Sequence, residues 1–243
     1  MYLISELHGQ YGGDLSVAEQ MILQSKMFGA HAVKVQLYDP MRLNKNRRHQ
    51  YLSLTFDDLR RLKEFADTLR IDFFASPFDE ERLEWCLRLD FPVIKIASTV
   101  LACYPDLARA MVETGKRTIV SLGMYDWKSQ GPPFDSSNVE YLYCIAKYPA
   151  SLEDVEMPDF RTSFFSGYSD HTPGTTACMV AVAHGARIIE KHFTINHSLQ
   201  KETEKAHACA MTCEELRNIR AFWDGVCVME RQGYAYQNIG DER

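Results

Sequence analysis

The sequence has 243 residues, of which 46% are hydrophobic and 25% charged, and its formal net charge is −6. This length and composition suffice for one sizeable hydrophobic core, so we expect a single domain over residues 1–243. The negative charge gives no support to nucleic-acid binding, and the densest basic run, Lys45 to Arg48, is more typical of a solvated or substrate-facing loop.

Cysteine content and hydropathy indicate where the protein works. The seven cysteines form no CxxC motif and lie mostly in apolar segments, which is typical of a reducing compartment. The sequence shows no apolar run long enough to cross a bilayer and no signal-peptide pattern. These features predict a cytoplasmic protein that does not act at a membrane.

Short apolar runs alternate with helical segments along the chain. The strand-like runs cover residues 2–7, 32–37, 71–75, 92–97, 117–121, 139–145, 164–168 and 186–192. Helical periodicity or capping predicts helices over 15–28, 55–69, 79–89, 106–114 and 175–184, a short helix or turn over 152–161, and a last helix from 212 to about 228. Residues 125–138 contain Gly131, Pro132 and Pro133, so the helix of that connection is predicted to be shortened or absent.

Eight strands alternating with about seven helices predict a (β/α)₈ TIM barrel. The alternative is a doubly wound open sheet, but the first strand–helix turn lacks GxGxxG. Nearly every predicted strand also ends on a polar or ionisable side chain, and a barrel brings all eight ends to one mouth. These strand ends are Glu6, Lys34/Gln36, Ser76, Lys95/Ser98, Ser121, Lys147/Tyr148, Ser169/His171 and Glu190/His192.

Two polar segments, SDH at 169–171 and EKH at 190–192, close predicted strands on either side of one helix. His171 and His192 should therefore lie at neighbouring strand ends. A lone histidine is more often a structural residue. Two imidazoles with acidic and basic neighbours instead favour a divalent metal site that keeps positions open for substrate.

The other strand ends suit a phosphorylated anionic substrate. Lys34 and Lys95 interrupt apolar strands, and such a charge is costly unless it is paired or catalytic. Glu6 can accept a proton or orient a water molecule, and a metal ion can polarise a carbonyl group. Hydroxyl donors for phosphate oxygens, each equally consistent with turn chemistry, are Ser76, Ser98, Ser121 and Ser169.

Together these segments resemble the N-acetylneuraminate (sialic acid) synthase family. The matching stretches are SELHGQYGGDLSVAEQMI, GAHAVKVQ, FFASPFDEERLEW, VIKIAS, VSLGM, CIAKYPASLEDV, GYSDHTPG and GARIIEKHFT. They run in order from Ser5 to about Met211, and GYSDHTPG followed by IEKHFT is the most specific signal.

The resemblance implies a TIM barrel that condenses phosphoenolpyruvate with an amino-sugar aldehyde to give a nonulosonic acid and phosphate. It places manganese or magnesium on His171 and His192, and makes Glu6 the catalytic glutamate. It assigns the sugar site to Gln36 and Tyr148. The implied phosphoenolpyruvate contacts are Lys34, Ser76, Lys95, Ser98, Ser121 and Ser169.

The sequence departs from the family pattern in the half that holds the sugar acceptor. Gln10-Tyr11 replaces an Asn-His pair, Val100 an acidic residue, and Ala146 an Asn or Ser. Thr203 is the residue nearest to an expected aspartate. We therefore expect the metal and phosphoenolpyruvate half to be kept and the acceptor to differ.

The sequence ends near the end of the predicted barrel, so we expect no C-terminal antifreeze-like domain of the kind found in most members. Because members dimerise partly through that domain, a homodimer formed by the barrels stays open.

Two other functions also stay open. One is a metal-dependent aldolase or lyase that acts without phosphoenolpyruvate. The other is a non-catalytic descendant that binds a sugar or a partner protein, although buried Lys34, Lys95 and Glu6 argue against it.

Overall fold

The computed structural model describes residues 2–40, 47–199 and 205–231. Eight parallel strands close into a barrel in which each strand pairs with the next and β8 pairs with β1. The strands are β1 (Tyr2–Glu6), β2 (Ala32–Leu37), β3 (Asp72–Pro77), β4 (Ile94–Ile96), β5 (Thr118–Ser121), β6 (Val139–Cys144), β7 (Phe165–Asp170) and β8 (Ile188–His192). The predicted TIM barrel is therefore confirmed, and the open sheet is excluded.

Helices connect the strands on the outside of the barrel. They are α1 (Leu15–Met27), α2 (Phe56–Thr68), α3 (Glu80–Arg88), α4 (Ser98–Cys103), α5 (Pro105–Glu113), α6 (Trp127–Gln130), α7 (Thr176–Ala183) and α8 (Cys213–Arg231). Side-chain caps fix several starts. Thr55 forms a capping box with Asp58 at α2, and Asp79 accepts from the Arg82 amide at α3.

The barrel is covered unevenly. As predicted, the connection from β5 to β6 contains a single helical turn, α6, and the connection from β6 to β7 contains a 3₁₀ turn at Leu152–Asp154. Aromatic side chains of Trp127, Tyr143 and Phe165 pack edge to face beside these short connections. The sequence pattern does not predict α4, which directly follows β4 and buries Val100.

The alternation of side chains along each strand separates the core from the barrel interior. In β2, Val33 and Val35 belong to the hydrophobic core, whereas Lys34 between them lines an internal cavity. None of the helices in the described part of the chain is long and apolar enough to cross a membrane. The predictions for Lys45 to Arg48 and for Thr203 fall wholly or partly on residues outside the described ranges.

Candidate active site

The carboxyl ends of the strands surround a cavity of about 170 Å³. All of the predicted site residues except Ser76 line it. The lining residues are Glu6, Lys34, Gln36, Phe78, Lys95, Ala97, Ser98, Thr99, Ser121, Met124, Cys144, Ala146, Tyr148, Ser169, His171, Glu190 and His192. A closed barrel has thus gathered residues from all eight strands or the loops after them, as active sites of this fold require.

Lys34 is held by partners on both neighbouring strands. Its ammonium forms an ion pair with Glu6 of β1 and donates a hydrogen bond to Ser76 Oγ of β3 at 3.2 Å. Ser76 is therefore fully buried behind the lysine instead of lining the cavity. Burial lowers the pKa of Lys34, but Glu190 and Glu6 outweigh this effect and raise it, so the lysine stays charged.

Lys95 lies in a less compensated environment. Its Nζ atom donates to Ser121 Oγ at 2.8 Å and to the Ile96 carbonyl at 3.0 Å, and the nearest carboxylate oxygen, of Glu190, is 4.0 Å away. Burial, together with the nearby Lys34, lowers the pKa of Lys95. The adjacent Ser98 hydroxyl accepts from the Gly123 amide and donates to the Ser121 carbonyl.

The carboxylate of Glu190 lies within about 4 Å of both lysine ammonium groups. Its Oε1 atom accepts from Ser169 Oγ at 3.1 Å and lies 3.8 Å from Lys34 Nζ. Its buried Oε2 atom has no hydrogen-bond partner among the residues that the structure describes. From the sequence, Glu190 is a polar strand end without an assigned role, although its place two residues before His192 on β8 puts both side chains on the inner face.

The two histidines are held in the same tautomer. The Nδ1 atom of His171 donates to the Ile145 carbonyl at 2.7 Å, and that of His192 donates to Gln10 Oε1 at 3.1 Å. Burial lowers the pKa of His171 to about 4 and that of His192 well below its ordinary value. Both rings are therefore neutral with a lone pair on Nε2, and their centroids lie 6.0 Å apart.

These features fit a metal ion held by two histidines. Neutral imidazoles whose other nitrogen is fixed by a hydrogen bond are the usual form of histidine ligands. Across the described ranges, no group of three or more His, Cys, Asp and Glu side chains is arranged to hold a metal ion. His171 and His192 would thus be the protein ligands, with the other positions open to water or substrate.

The remaining wall of the cavity is partly apolar. The Tyr148 ring lies 4.0 Å from the His171 ring, centroid to centroid. Gln36 Nε2 is 3.5 Å from a Glu6 oxygen, which places this amide beside the charged cluster. Phe78, Met124 and other apolar groups complete this side of the cavity.

Two expectations about the mouth need correction. Lys147, predicted at a converging strand end, lies on the surface, where it pairs with Asp154 at 2.8 Å and is 58% exposed. Its neighbours Ala146 and Tyr148 line the cavity, whereas the Lys147 side chain between them faces the surface. Val100, aligned with a sugar contact, lies on α4 with its side chain completely buried in the core, and it does not line the cavity.

Fold and site together define a TIM-barrel enzyme whose cavity is lined by paired lysine and glutamate side chains and two histidines. The chain belongs to the NeuB family, which it matches over residues 21–230. It is 30% identical to N,N'-diacetyllegionaminic acid synthase of Legionella pneumophila, over 90% of this chain and 70% of the relative. It is 29% identical to pseudaminic acid synthase of Campylobacter jejuni, over 84% of this chain and 68% of the relative.

A solved structure agrees with this assignment. The N-acetylneuraminic acid synthetase of Leptospira borgpetersenii, crystallised with citrate, superposes with a TM-score of 0.82 at 26% identity. The alignment covers 100% of this chain and 93% of that one. The chain is therefore of the sialic acid synthase type, as its sequence motifs predicted.

Proposed function

We propose that this protein condenses phosphoenolpyruvate with the aldehyde group of a sugar, in particular an amino sugar, to form a nonulosonic acid and inorganic phosphate. The observation that carries the proposal is the presence of Lys34, Lys95 and two neutral histidines in the lining of one cavity. The names of the relatives support the product class, and their different products agree with an acceptor that varies within the family.

The charge balance of the cavity predicts that phosphoenolpyruvate would bind there together with a cation. Lys34 and Lys95 are offset by Glu6 and Glu190, so these four side chains carry almost no net charge. Phosphoenolpyruvate carries roughly −2.5 to −3 at neutral pH. A divalent cation on the histidines would supply the missing positive charge, so we expect metal-dependent binding of this substrate.

Hydroxyl groups around the lysines would bind the phosphate and carboxylate oxygens. Ser98, Ser121 and Ser169 line the cavity, and Ser76 fixes Lys34 from behind. Their hydroxyl hydrogens can turn from protein acceptors toward an anion without moving the backbone. Charge-assisted hydrogen bonds of this kind give both affinity and orientation.

The reaction forms one carbon–carbon bond and breaks one carbon–oxygen bond. C3 of phosphoenolpyruvate attacks the aldehyde carbon, the aldehyde oxygen takes up a proton, and water adds at C2. Loss of phosphate through C–O cleavage then leaves the 2-keto acid. Glu6, fixed by Lys34 and by the His8 amide at 2.8 Å, would accept a proton from the water.

A divalent metal ion bound to His171 and His192, manganese or magnesium, would act as a Lewis acid on the aldehyde oxygen. On the protein side, Gln36 and Tyr148 are the polar groups on the wall assigned to the acceptor, with Ala146 beside them. An acceptor with an apolar substituent would suit this wall better than one that needs an additional carboxylate partner.

The test is phosphate release from phosphoenolpyruvate by the Mn²⁺-loaded protein, with a panel of aldoses and N-acylated amino sugars. We expect release with at least one acceptor, together with a 2-keto acid product seen by mass spectrometry. The Glu6→Gln variant serves as the inactive control. No release with any aldose would sink the proposal, and cleavage of a keto-acid sugar without phosphate would favour a metal-dependent aldolase.

A further inference from the structure

An ion pair lies directly behind the two histidines, outside the cavity. Asp170 and Lys191 are paired positions on β7 and β8, and their side chains are 2.6 Å apart and fully buried. Each is a chain neighbour of one histidine, His171 or His192. Because side chains alternate along a strand, the ion pair lies on the opposite face of the sheet and cannot touch a substrate in the cavity.

The Lys191 ammonium also makes a second hydrogen bond, to the Thr172 carbonyl at 2.5 Å. It therefore binds the residues immediately before and after His171 in the chain. Its own backbone continues directly into His192. One ammonium group thus connects the segments that carry both imidazoles.

Asp170 is fixed in turn by several other donors. Its Oδ1 atom accepts from the Tyr168 hydroxyl at 3.0 Å and from the Thr172 amide and hydroxyl at 2.8 and 2.9 Å. Its Oδ2 atom accepts from the Cys178 thiol of α7 at 3.1 Å. The carboxylate is therefore a rigid anchor that connects the lysine to the strand and to the helix packed outside it.

We infer that Lys191, anchored by Asp170, is a positioning residue that fixes the separation of the His171 and His192 imidazoles. The inference rests on the proposed function, in which these rings hold a divalent cation. A buried ion pair adds little net stability, because desolvation of the charges offsets their attraction, but it does fix geometry. Metal–nitrogen bonds tolerate only a few tenths of an ångström, so the spacing of the rings sets metal affinity.

The test compares metal binding in the wild type, Lys191→Met and the double variant Asp170→Asn/Lys191→Met. The double variant buries no uncompensated charge and is therefore expected to fold even where the single variant does not. Arg117→Met is the matched control, since Arg117 pairs with Glu140 at 2.7 Å on the opposite end of the barrel. Folding of each protein is checked by circular dichroism and thermal unfolding.

Two readouts report on the histidines themselves. Calorimetric titration gives the Mn²⁺ affinity without any substrate, and the visible absorption of the Co²⁺-loaded protein reports the ligand geometry. We expect the affinity to fall at least ~10-fold in the folded Lys191 variants, with a changed Co²⁺ spectrum, since removing groups that orient metal ligands has effects of this size. Arg117→Met should leave both readouts unchanged.

Two results would overturn the inference, and they are distinguishable. Wild-type affinity and spectrum in a folded variant lacking Lys191 would overturn the positioning role alone. A wild type that binds neither Mn²⁺ nor Co²⁺ would overturn it together with the metal-dependent part of the proposed function.

Discussion

Lys34 and Glu6 occupy paired positions on β2 and β1 and form an ion pair in the wall of the cavity. The second oxygen of Glu6 accepts from the His8 amide, so the carboxylate is fixed at both ends. Lys34 in turn reaches Ser76 and approaches Glu190. The group proposed to bind the phosphorylated substrate and the group proposed to accept a proton are therefore direct neighbours.

Glu6→Gln separates these two roles. The amide keeps the size of the side chain and an acceptor for the His8 amide, but it cannot take up a proton. We expect the maximal rate of phosphate release to fall about 100-fold or more, in keeping with the loss of a general base. Binding of phosphoenolpyruvate should be unchanged or stronger, because a competing negative charge beside Lys34 is gone.

Steady-state kinetics and calorimetric titration of Glu6→Gln measure the two effects separately. An unchanged maximal rate would exclude Glu6 as the proton acceptor. Weaker binding at the same rate would make it a residue that positions Lys34.

The buried position of Lys95 leads us to predict that substrate affinity declines at alkaline pH. Burial and the neighbouring Lys34 lower the pKa of Lys95 below its ordinary 10.5, so its ammonium loses its proton at a lower pH than a free lysine does. Affinity for phosphoenolpyruvate should therefore be highest where Lys95 is protonated and decline as the pH rises through the lowered pKa.

Two substitutions check this origin of the alkaline decline. Lys95→Arg keeps a charge at all these pH values and should remove the decline, whatever its effect on absolute affinity. Lys147→Met removes a surface lysine paired with Asp154 and should leave the whole profile unchanged. A decline that persists in Lys95→Arg would assign it to another group.

Gln10 is not a proposed metal ligand, but we predict that it contributes to metal affinity through its hydrogen bond with His192. Its Oε1 atom accepts from His192 Nδ1 and so fixes the tautomer and the ring orientation. We expect Gln10→Leu to lower Mn²⁺ affinity by about 10- to 100-fold. Gln10→Glu, which supplies a stronger acceptor of the same length, should retain binding, and equal affinity in all three proteins would contradict the role.

The absence of a side chain at Gly167 allows β7 and β8 to lie close together, so we predict that a larger residue there destabilises the fold. A Cβ atom at this position would lie 1.9 Å from the Ile188 carbonyl oxygen, and backbone cannot move aside cheaply. Gly167→Ala should destabilise the fold by about 2 to 3 kcal/mol. Gly225→Ala is the control, since the exposed Gly225 in α8 has no atom within 4 Å of such a Cβ, and it should stabilise by about 0.5 to 1 kcal/mol. Urea unfolding distinguishes the two, and a neutral Gly167→Ala would contradict the prediction.

Strand alternation explains how much of the site could be predicted from the sequence. Lys34 and Lys95 interrupt apolar strands with period 2, so their direction into the barrel follows once the fold is known. His171 and His192 follow from the same rule at the ends of β7 and β8. The order of residues along a strand thus predicts which face of the sheet a side chain is on and how far along the barrel axis it lies.

Features that depend on three-dimensional neighbours could not be predicted in this way. Ser76 accepts a hydrogen bond from Lys34 although the strand register pairs Ser76 with Gln36, and Gln10 reaches His192 from 182 residues away in sequence. Lys147 faces the surface and pairs with Asp154, while its neighbours Ala146 and Tyr148 line the cavity. The charge compensation by Glu190 likewise required the distances between three strands.

The central claim is that the histidine pair and the lysines form one metal-dependent binding site for phosphoenolpyruvate. Calorimetric titration of phosphoenolpyruvate into Mn²⁺-loaded protein, beside a His171→Ala control, tests it most directly. The account predicts binding to the wild type that is abolished or much weakened in His171→Ala and after removal of metal by a chelator. Absence of binding to a folded, metal-loaded wild type, or equal binding in His171→Ala, would contradict it.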